Sequence, residues 1–232
     1  MKISIIMPFY NGWELTHARL YEFYKYLPTD VEICLVNDCS TDDVGGSVSF
    51  WQKGAAKHKI LYHKNEVNSG FGASHNAGAR IATGDIFVFY SNDVVLSGNF
   101  VPTLLEVIER ERDKVLVGNR LIYFPAGWNE FEAFGKKRII PYLEGFFIAC
   151  TREAWKELGG WDAESYGKFD YEDLDLSTKA LSLGYNLVDL QSHFLKHLGG
   201  RTIMNMNIDR MEHTKKNREI FIQKWQKFLS EE

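Results

Sequence analysis

The sequence predicts an α/β protein built on a mostly parallel sheet with helices on both faces. Two observations predict it. Short apolar runs alternate with helix-length segments through the first 93 residues, and a polar cluster follows each apolar run. The 232-residue length, with 45% hydrophobic and 25% charged residues, supplies enough apolar surface for a large core.

Ile3 to Met7 is an apolar run stopped by Pro8 and reads as a buried strand. Asn11, with Glu14 three residues on, has the spacing of a capping box and predicts a helix to about Leu27, before Pro28. On that helix Tyr21, Phe23, Tyr24 and Tyr26 read as core and rim. Val31 to Val36 is a second strand, and Asn37 to Asp43 a polar turn. A helix near Val48 to Ala56, a strand near Lys59 to His63 and a loop from Asn65 to Gly70 come next. Gly72 to Ala82 is Ala-rich and helical, with Gly84 as its stop, and Ile86 to Tyr90 is a strand ended by Ser91-Asn92-Asp93.

The second half is less regular. Asn99 to Arg112 reads as a helix, Val115 to Phe124 as one strand, Pro125 to Pro141 as a long loop and Gly145 to Cys150 as a strand. Thr151 caps a helix to Leu158 that Gly159-Gly160 stops. Asp170 is the expected cap of a helix to Leu183, with Gly184 at its end, and Asn186 to Leu190 is a strand. From Asp209 to Leu229 the chain reads as a basic amphipathic helix whose charged side faces solvent, with a minor alternative as a contact to a membrane surface.

A net charge of −4 argues against a nucleic-acid partner. Three cysteines without paired spacing do not suggest a disulfide framework, so Cys34 and Cys150 are expected as buried thiols in a reducing compartment. The first apolar run is too short for a signal peptide, and no stretch approaches the roughly 20 apolar residues that span a bilayer. The expected location is the cytoplasm, with the basic tail as a candidate contact to the inner face of the membrane.

In parallel α/β sheets ligands bind beyond the carboxyl ends of the strands, where these polar clusters fall. An aromatic ring after the first strand can stack on a base, and Asp38 can accept from a pyrimidine ring N–H. Asn68 and Gly70 let backbone approach a ribose. Asp93 offers a hard oxygen ligand for Mg²⁺ or Mn²⁺. Asp170, Glu172, Asp173 and Asp175 crowd a helix start, whose dipole favours ionised carboxylates able to serve as a base; taken alone, Asp170, Asp173 and Asp175 read first as plain helix-start residues. His197 is a candidate metal ligand and Arg201 a phosphate fork. Gly70, Gly72 and Gly78 lack the dinucleotide fingerprint.

Together these segments resemble the family 2 glycosyltransferases of GT-A fold, particularly a rhamnosyltransferase-like branch. The resemblance rests on Ser4 to Asn11, Val36 to Asp42, Asn68 to Gly78, Ala82 to Asp85, Ser91 to Asp93, Gly159 to Asp162 and Tyr171 to Leu176, in the family's order. It implies a single GT-A domain with a nucleotide-binding half (1–93), an acceptor and catalytic half (94–205) and a C-terminal helix (206–232). It implies Pro8, Tyr10, Asn11, Asp38, Ser40, Asn68, Gly70, Asn76, Asn92 and Arg201 around a nucleoside-diphosphate sugar, with Asp93 and His197 on a divalent cation (Mn²⁺ or Mg²⁺). Asp173 takes the place of the catalytic base, Glu172 helps position the acceptor, and Trp161 and Asp162 lie near sugar or acceptor. The implied acceptor is a saccharide, a lipid-linked saccharide or a protein. Ser91-Asn92-Asp93 offers one carboxylate, which predicts weaker metal binding than a doubly acidic motif would give. Two other classes fit parts of the pattern. A nucleotidyltransferase would release pyrophosphate rather than a nucleotide, and a silent nucleotide-sugar binding module would show neither hydrolysis nor transfer.

Overall fold

A computed structural model of the chain describes residues 1–55, 57–111, 114–125, 138–199 and 210–230. Its centre is a seven-stranded mixed sheet. β1 (Ile3–Phe9) lies between β2 (Glu32–Asn37) and β4 (Ile86–Tyr90), and β3 (Lys59–Lys64) pairs outside β2, all parallel. On the other side of β4, β9 (Phe147–Thr151) runs antiparallel, followed by β6 (Val115–Gly118) and β10 (Asn186–Asp189), which pair in parallel. Because β9 is reversed, its entry residues Gly145 and Phe146 reach the same edge as the carboxyl ends of β1, β2 and β4.

Strand alternation sorts the core into two layers. Ile3, Ile5, Met7 and Phe9 of β1 pack with Leu20 and Phe23 of α1 (Trp13–Tyr26) and with Leu104 and Ile108 of α4 (Val101–Arg110). Ile6 faces the other layer, with Ala154 and Leu158 of α5 (Arg152–Leu158) and Leu176 and Ala180 of α7 (Glu172–Ser182). α3 (Phe71–Ile81) packs on β1 and β2 in that layer. β2, β4, β6 and β9 are buried at every residue and β1 at all but Pro8, as expected for strands covered on both faces, whereas the outer β3 and β10 are partly exposed. Cys34 and Cys150 are buried and free, and burial pushes both thiols up.

Several local expectations change. The first helix is entered through Gly12 at φ 62°, and no side chain caps it. Asn11, at φ 52°, turns its Oδ1 to the Thr41 N–H instead, so the capping-box reading gives way to a loop-to-loop tie. α2 (Gly45–Phe50) ends in a π-helical turn, Trp51–Ala55. The single strand expected from Val115 to Phe124 is two. Asn119 exchanges hydrogen bonds with Ser192, and Leu121 N–H donates to Asp189. The chain thereby leaves the main sheet, and β7 (Leu121–Phe124) pairs with β8 (Ile140–Leu143). Of the long loop expected at Pro125 to Pro141, residues 126–137 lie outside the described residues.

Thr151 does cap α5, accepting from Ala154 N–H at 3.2 Å, and Gly159 closes it at φ 72°. Asp162 caps α6 (Ala163–Tyr166). Asp170 is not the cap of α7. Tyr171 precedes that helix with φ 78°, Asp170 has φ 68°, and the Asp170 carboxylate accepts from Thr214 Oγ1. The tail forms α8 (Arg210–Lys224) and α9 (Gln226–Ser230). It is no loose basic face: Phe221 and Leu229 are buried with Phe124, Ile140, Tyr166 and Leu174. Among the described residues no helix is long and apolar enough to cross a membrane.

Candidate active site

One cleft of about 920 Å³ opens along the carboxyl edge of β1, β2 and β4. Pro8, Tyr10, Asp38, Gly70, Asn92, Asp93, Glu172, Asp173 and His197 all line it. Segments far apart in sequence therefore converge on one space.

Its nucleotide-side wall is held by Asp38. The buried carboxylate accepts from Asn65 Nδ2 and Ser69 N–H through Oδ1 and from Gly70 N–H through Oδ2, each at 2.8 Å. Three donors fix the loop after β3, leaving Asp38 little capacity for a base. Gly70 has φ 86°, and a Cβ there would stand 2.4 Å from Lys168 Cα. The close approach this glycine permits is thus to the backbone of the 166–170 loop, in addition to any ligand. Tyr10 stays partly exposed beside it, available for stacking.

The opposite end carries Asp93 and His197. Asp93 directly precedes β5 (Val94–Leu96), which pairs antiparallel with β11 (Leu195–His197) so that His197 stands opposite Val94. This brings His197 Nε2 to 3.4 Å from Asp93 Oδ2. The imidazole stacks on Phe146, with centroids 4.4 Å apart. Asn92 beside them is buried and donates to Thr16 Oγ1.

The carboxylates at the start of α7 form the third wall. Glu172 is 3% exposed, and its Oε1 has no hydrogen-bond partner. Burial, the largest influence, pushes its carboxyl well above the usual range, and the nearby acids Asp173, Asp170 and Asp175 add to this. Asp173 is only partly buried by area, and its two oxygens accept from Gly145 N–H and Leu174 N–H, both at 2.9 Å. Burial again dominates, but the two backbone donors oppose it, and the carboxyl is raised to about 6. Adjacent acids in different surroundings thus favour different protonation states.

Six expected site residues stand outside this cleft. Asn11 and Ser40 tie two loops together, Ser40 Oγ accepting from Asn11 N–H at 2.8 Å. Asn68 Oδ1 is buried and unpartnered. Asn76 brackets Trp161, accepting its N–H and donating to its carbonyl. Trp161 is 3% exposed among Phe71, His75, Phe89 and Trp155, so its ring is core rather than a sugar platform. Asp162, besides capping α6, meets Lys224 at 2.7 Å. Arg201 lies outside the described residues.

Sequence reasoning missed the tail's part in the site. Asn217 is buried and donates to the carbonyls of Tyr166, Phe169 and Asp170, while His213 Nε2 donates to Phe169 O. Asp175 is a buried hub that accepts from Tyr166 Oη, Trp225 Nε1 and Lys224 Nζ. The signal was a helical stripe, His213, Asn217, Phe221 and Trp225, spaced four apart and mixing polar with aromatic side chains.

The Asp93–His197 pair suits a divalent cation. One carboxylate oxygen and one imidazole nitrogen 3.4 Å apart can share an ion, and Mg²⁺-like ions take their remaining ligands from substrate phosphates and water. Among the described residues no group of three such ligands occurs.

A mixed sheet of this order, with an acid-lined cleft along its carboxyl edge, defines a GT-A fold protein. The chain belongs to glycosyl transferase family 2, whose model matches residues 4–156. It is 25% identical over 121 residues to glycosyltransferase GlyG of Streptococcus pneumoniae, covering 52% of this chain and 40% of GlyG. It is 26% identical over 157 residues to a cholesterol galactosyltransferase of Borreliella burgdorferi, covering 68% of this chain and 41% of that protein. The chain therefore spans about two fifths of the length of either relative. Among solved structures, S. aureus TarS in complex with UDP-GlcNAc superposes with a TM-score of 0.67 at 18% identity, covering 95% of this chain and 65% of that one. The mannosyltransferase PcManGT from Pyrobaculum calidifontis, in complex with GDP-Man and Mn²⁺, gives 0.62 at 23%, covering 81% and 54%. At these identities the likeness is one of fold.

Proposed function

We propose that the chain transfers a sugar from a nucleoside-diphosphate donor to an acceptor hydroxyl with inversion at the anomeric carbon. The proposed donor sugar is a hexose or deoxyhexose, in keeping with the rhamnosyltransferase-like resemblance. The acceptor is a saccharide, a lipid-linked saccharide or a protein. One observation carries the reading. Asp93 and His197 face each other on one wall of the cleft, and Asp173, 80 residues beyond Asp93 in the chain, lines the same cleft.

Family 2 membership and the nucleotide-sugars bound by PcManGT and TarS support the donor class. Tyr10 and the loop fixed by Asp38 receive the nucleoside. Asp93 and His197 would hold the Mn²⁺ or Mg²⁺, which when bound neutralises charge growing on the departing diphosphate. The acceptor oxygen forms its bond to the anomeric carbon as the bond from that carbon to the diphosphate oxygen breaks, and the hydroxyl proton passes to Asp173. A carboxyl at about 6 is largely ionised at pH 7 yet basic enough to accept that proton. Glu172, which favours its protonated form, has the unpartnered Oε1 with which to hold the acceptor. One displacement with one base inverts the centre, the logic by which inverting glycosidases use an ionised carboxylate.

The test is a thermal-shift screen of UDP, dTDP and GDP with and without Mn²⁺, followed by transfer and donor-hydrolysis assays with sugars of the nucleotide that binds. A metal-dependent upward shift followed by release of nucleoside diphosphate from a donor is the expected result. Failure of every nucleoside diphosphate to bind would sink the reading.

A further inference from the structure

Met211, Thr214, Lys215 and Arg218 fall at i, i+3, i+4 and i+7 of α8, one face of that helix, and all four line the cleft. Thr214 Oγ1 donates to Asp170 Oδ2 at 2.6 Å, which seats this face beside the turn that carries Glu172 and Asp173. The stripe presents two cations. Among the described residues neither Lys215 nor Arg218 forms a hydrogen bond or an ion pair, and Arg218 Nε is buried without a partner. A buried guanidinium N–H without an acceptor is costly, and an oxyanion entering the cleft would satisfy it. Most carboxylates of the cleft are otherwise engaged: Asp38 holds three donors, Asp93 faces His197, Asp173 holds two backbone N–H groups, Asp170 accepts from Thr214 and Glu144 meets Arg120, while Glu172 favours its protonated form.

The donor's diphosphate is assigned above to the Asp93–His197 wall. A second anionic group, on the wall that carries the base, therefore belongs to the other substrate. Resting on that reading, we infer that the acceptor is itself anionic: it carries a phosphate that binds Lys215 and Arg218 while a hydroxyl of the same molecule meets Asp173. Two free cations, one a planar fork and one a point charge, match the charge and geometry of a phosphate. The stripe faces a cleft, so the phosphate belongs to an individual acceptor molecule and not to the plane of a bilayer.

The full chain is first titrated with UDP and GDP in the presence of Mn²⁺. The nucleotide-loaded protein is then titrated with inorganic phosphate, glucose 6-phosphate and, as a neutral control, glucose. The same titrations are run on a Lys215→Gln/Arg218→Gln double variant, and both proteins are sedimented with phosphatidylglycerol and phosphatidylcholine vesicles. The expected result is phosphate and sugar-phosphate binding to the loaded wild type that weakens about tenfold or more in the double variant. Nucleotide affinity should stay within about twofold, which also shows that the variant is folded. Vesicle binding should be absent from both. Equal phosphate binding by the two proteins, or none by the wild type, overturns the inference and leaves the donor reading intact. A larger loss for the nucleotide than for phosphate assigns the stripe to the donor and also overturns it. So does vesicle binding that only the wild type shows, without binding of either phosphate probe. If no nucleoside diphosphate binds, the donor reading falls and takes this inference with it.

Discussion

Replacing Asp173 by Asn separates the charge of the proposed base from its shape. Burial lifts this carboxyl from 3.8 to about 6 against two backbone hydrogen bonds. Roughly 2 pH units correspond to about 3 kcal/mol, an upper figure because Asp173 keeps some exposure to the cleft. The raised value means that the folded state binds the proton more tightly than the unfolded chain. Stability therefore falls as pH rises from about 4 through 6, and the cost is complete above that window. The amide variant has no such titration. Its melting temperature relative to wild type should improve across that range by the equivalent of up to about 3 kcal/mol. At roughly 2–4 °C per kcal/mol for a domain of this size, that is up to about 6–12 °C. An amide oxygen replaces two carboxylate oxygens, so the N–H of Gly145 or Leu174 loses its acceptor at about 1–3 kcal/mol. That loss is independent of pH and drops out of the slope. Paired melts from pH 4 to pH 8 measure the slope. Transfer assays on the variant should show about 10²–10⁴-fold less turnover at unchanged nucleotide affinity. In the wild type, turnover should fall below about pH 6 as Asp173 takes up its proton. Parallel melting curves over the whole range would refute the claim that this carboxylate is held desolvated, and undiminished transfer would remove it as the base.

Three further outcomes follow from the same contacts. Glu32 is fully buried; burial alone would raise its carboxyl, but bonds from Lys2, Thr83 and Ser4 outweigh that and hold it at about 2. A depressed acid stabilises above its unfolded value of 4.5, and the stabilisation is lost as pH falls through 2. Glu32→Gln should therefore melt lower at pH 7 by about 3 kcal/mol equivalent, with the gap closing between pH 4.5 and 2 in acid titrations. Asn217→Ala strips the donor shared by three carbonyls and should cost about 2–3 kcal/mol in denaturant titrations. It should lower kcat more than it changes nucleotide affinity, whereas an unchanged midpoint would deny Asn217 its positioning role. His197→Ala should abolish most of the Mn²⁺-dependent part of the nucleotide thermal shift while leaving any metal-independent part, and a full shift in that variant would take His197 off the metal.

What could be read from the sequence was what local pattern encodes. Apolar runs bounded by polar turns gave β1, β2, β4 and β9 within a residue or two, because a doubly covered strand is apolar whichever way it points. Thr151 was legible as a cap because its geometry is local. Asn11 was misread because Gly12, in the left-handed region, makes the helix entry and frees the Asn11 side chain for Thr41, 30 residues away. Asp93 and His197 meet only through the pairing of β5 with β11, separated by about a hundred residues. No spacing rule carries that juxtaposition, so it entered through the family resemblance alone. Trp161 and Asp162 were placed near a sugar on the same resemblance, whereas aromatic packing and a cap account for their observed contacts.

The tail is where pattern reading failed most, and the reason bears on mechanism. Lys215, Lys216, Arg218 and Lys224 made it look like a solvated basic face, because composition does not reveal a buried partner for a polar side chain. In the structure its polar residues hold the turn before α7. Asp170 and Tyr171 are consecutive non-glycine residues in the left-handed region, a conformation that costs about 1–3 kcal/mol each. His213 and Thr214 each donate one hydrogen bond to residues 166–170, and the two N–H groups of the Asn217 amide are shared among three carbonyls there, which is four donor hydrogens at about 0.5–1.5 kcal/mol apiece. The two sums are of the same size. The strained entry that points Glu172 and Asp173 into the cleft is therefore only as stable as the docking of α8. A ligand that gathers Lys215 and Arg218 of the same helix would tighten that docking as it binds, coupling acceptor binding to the placement of the base.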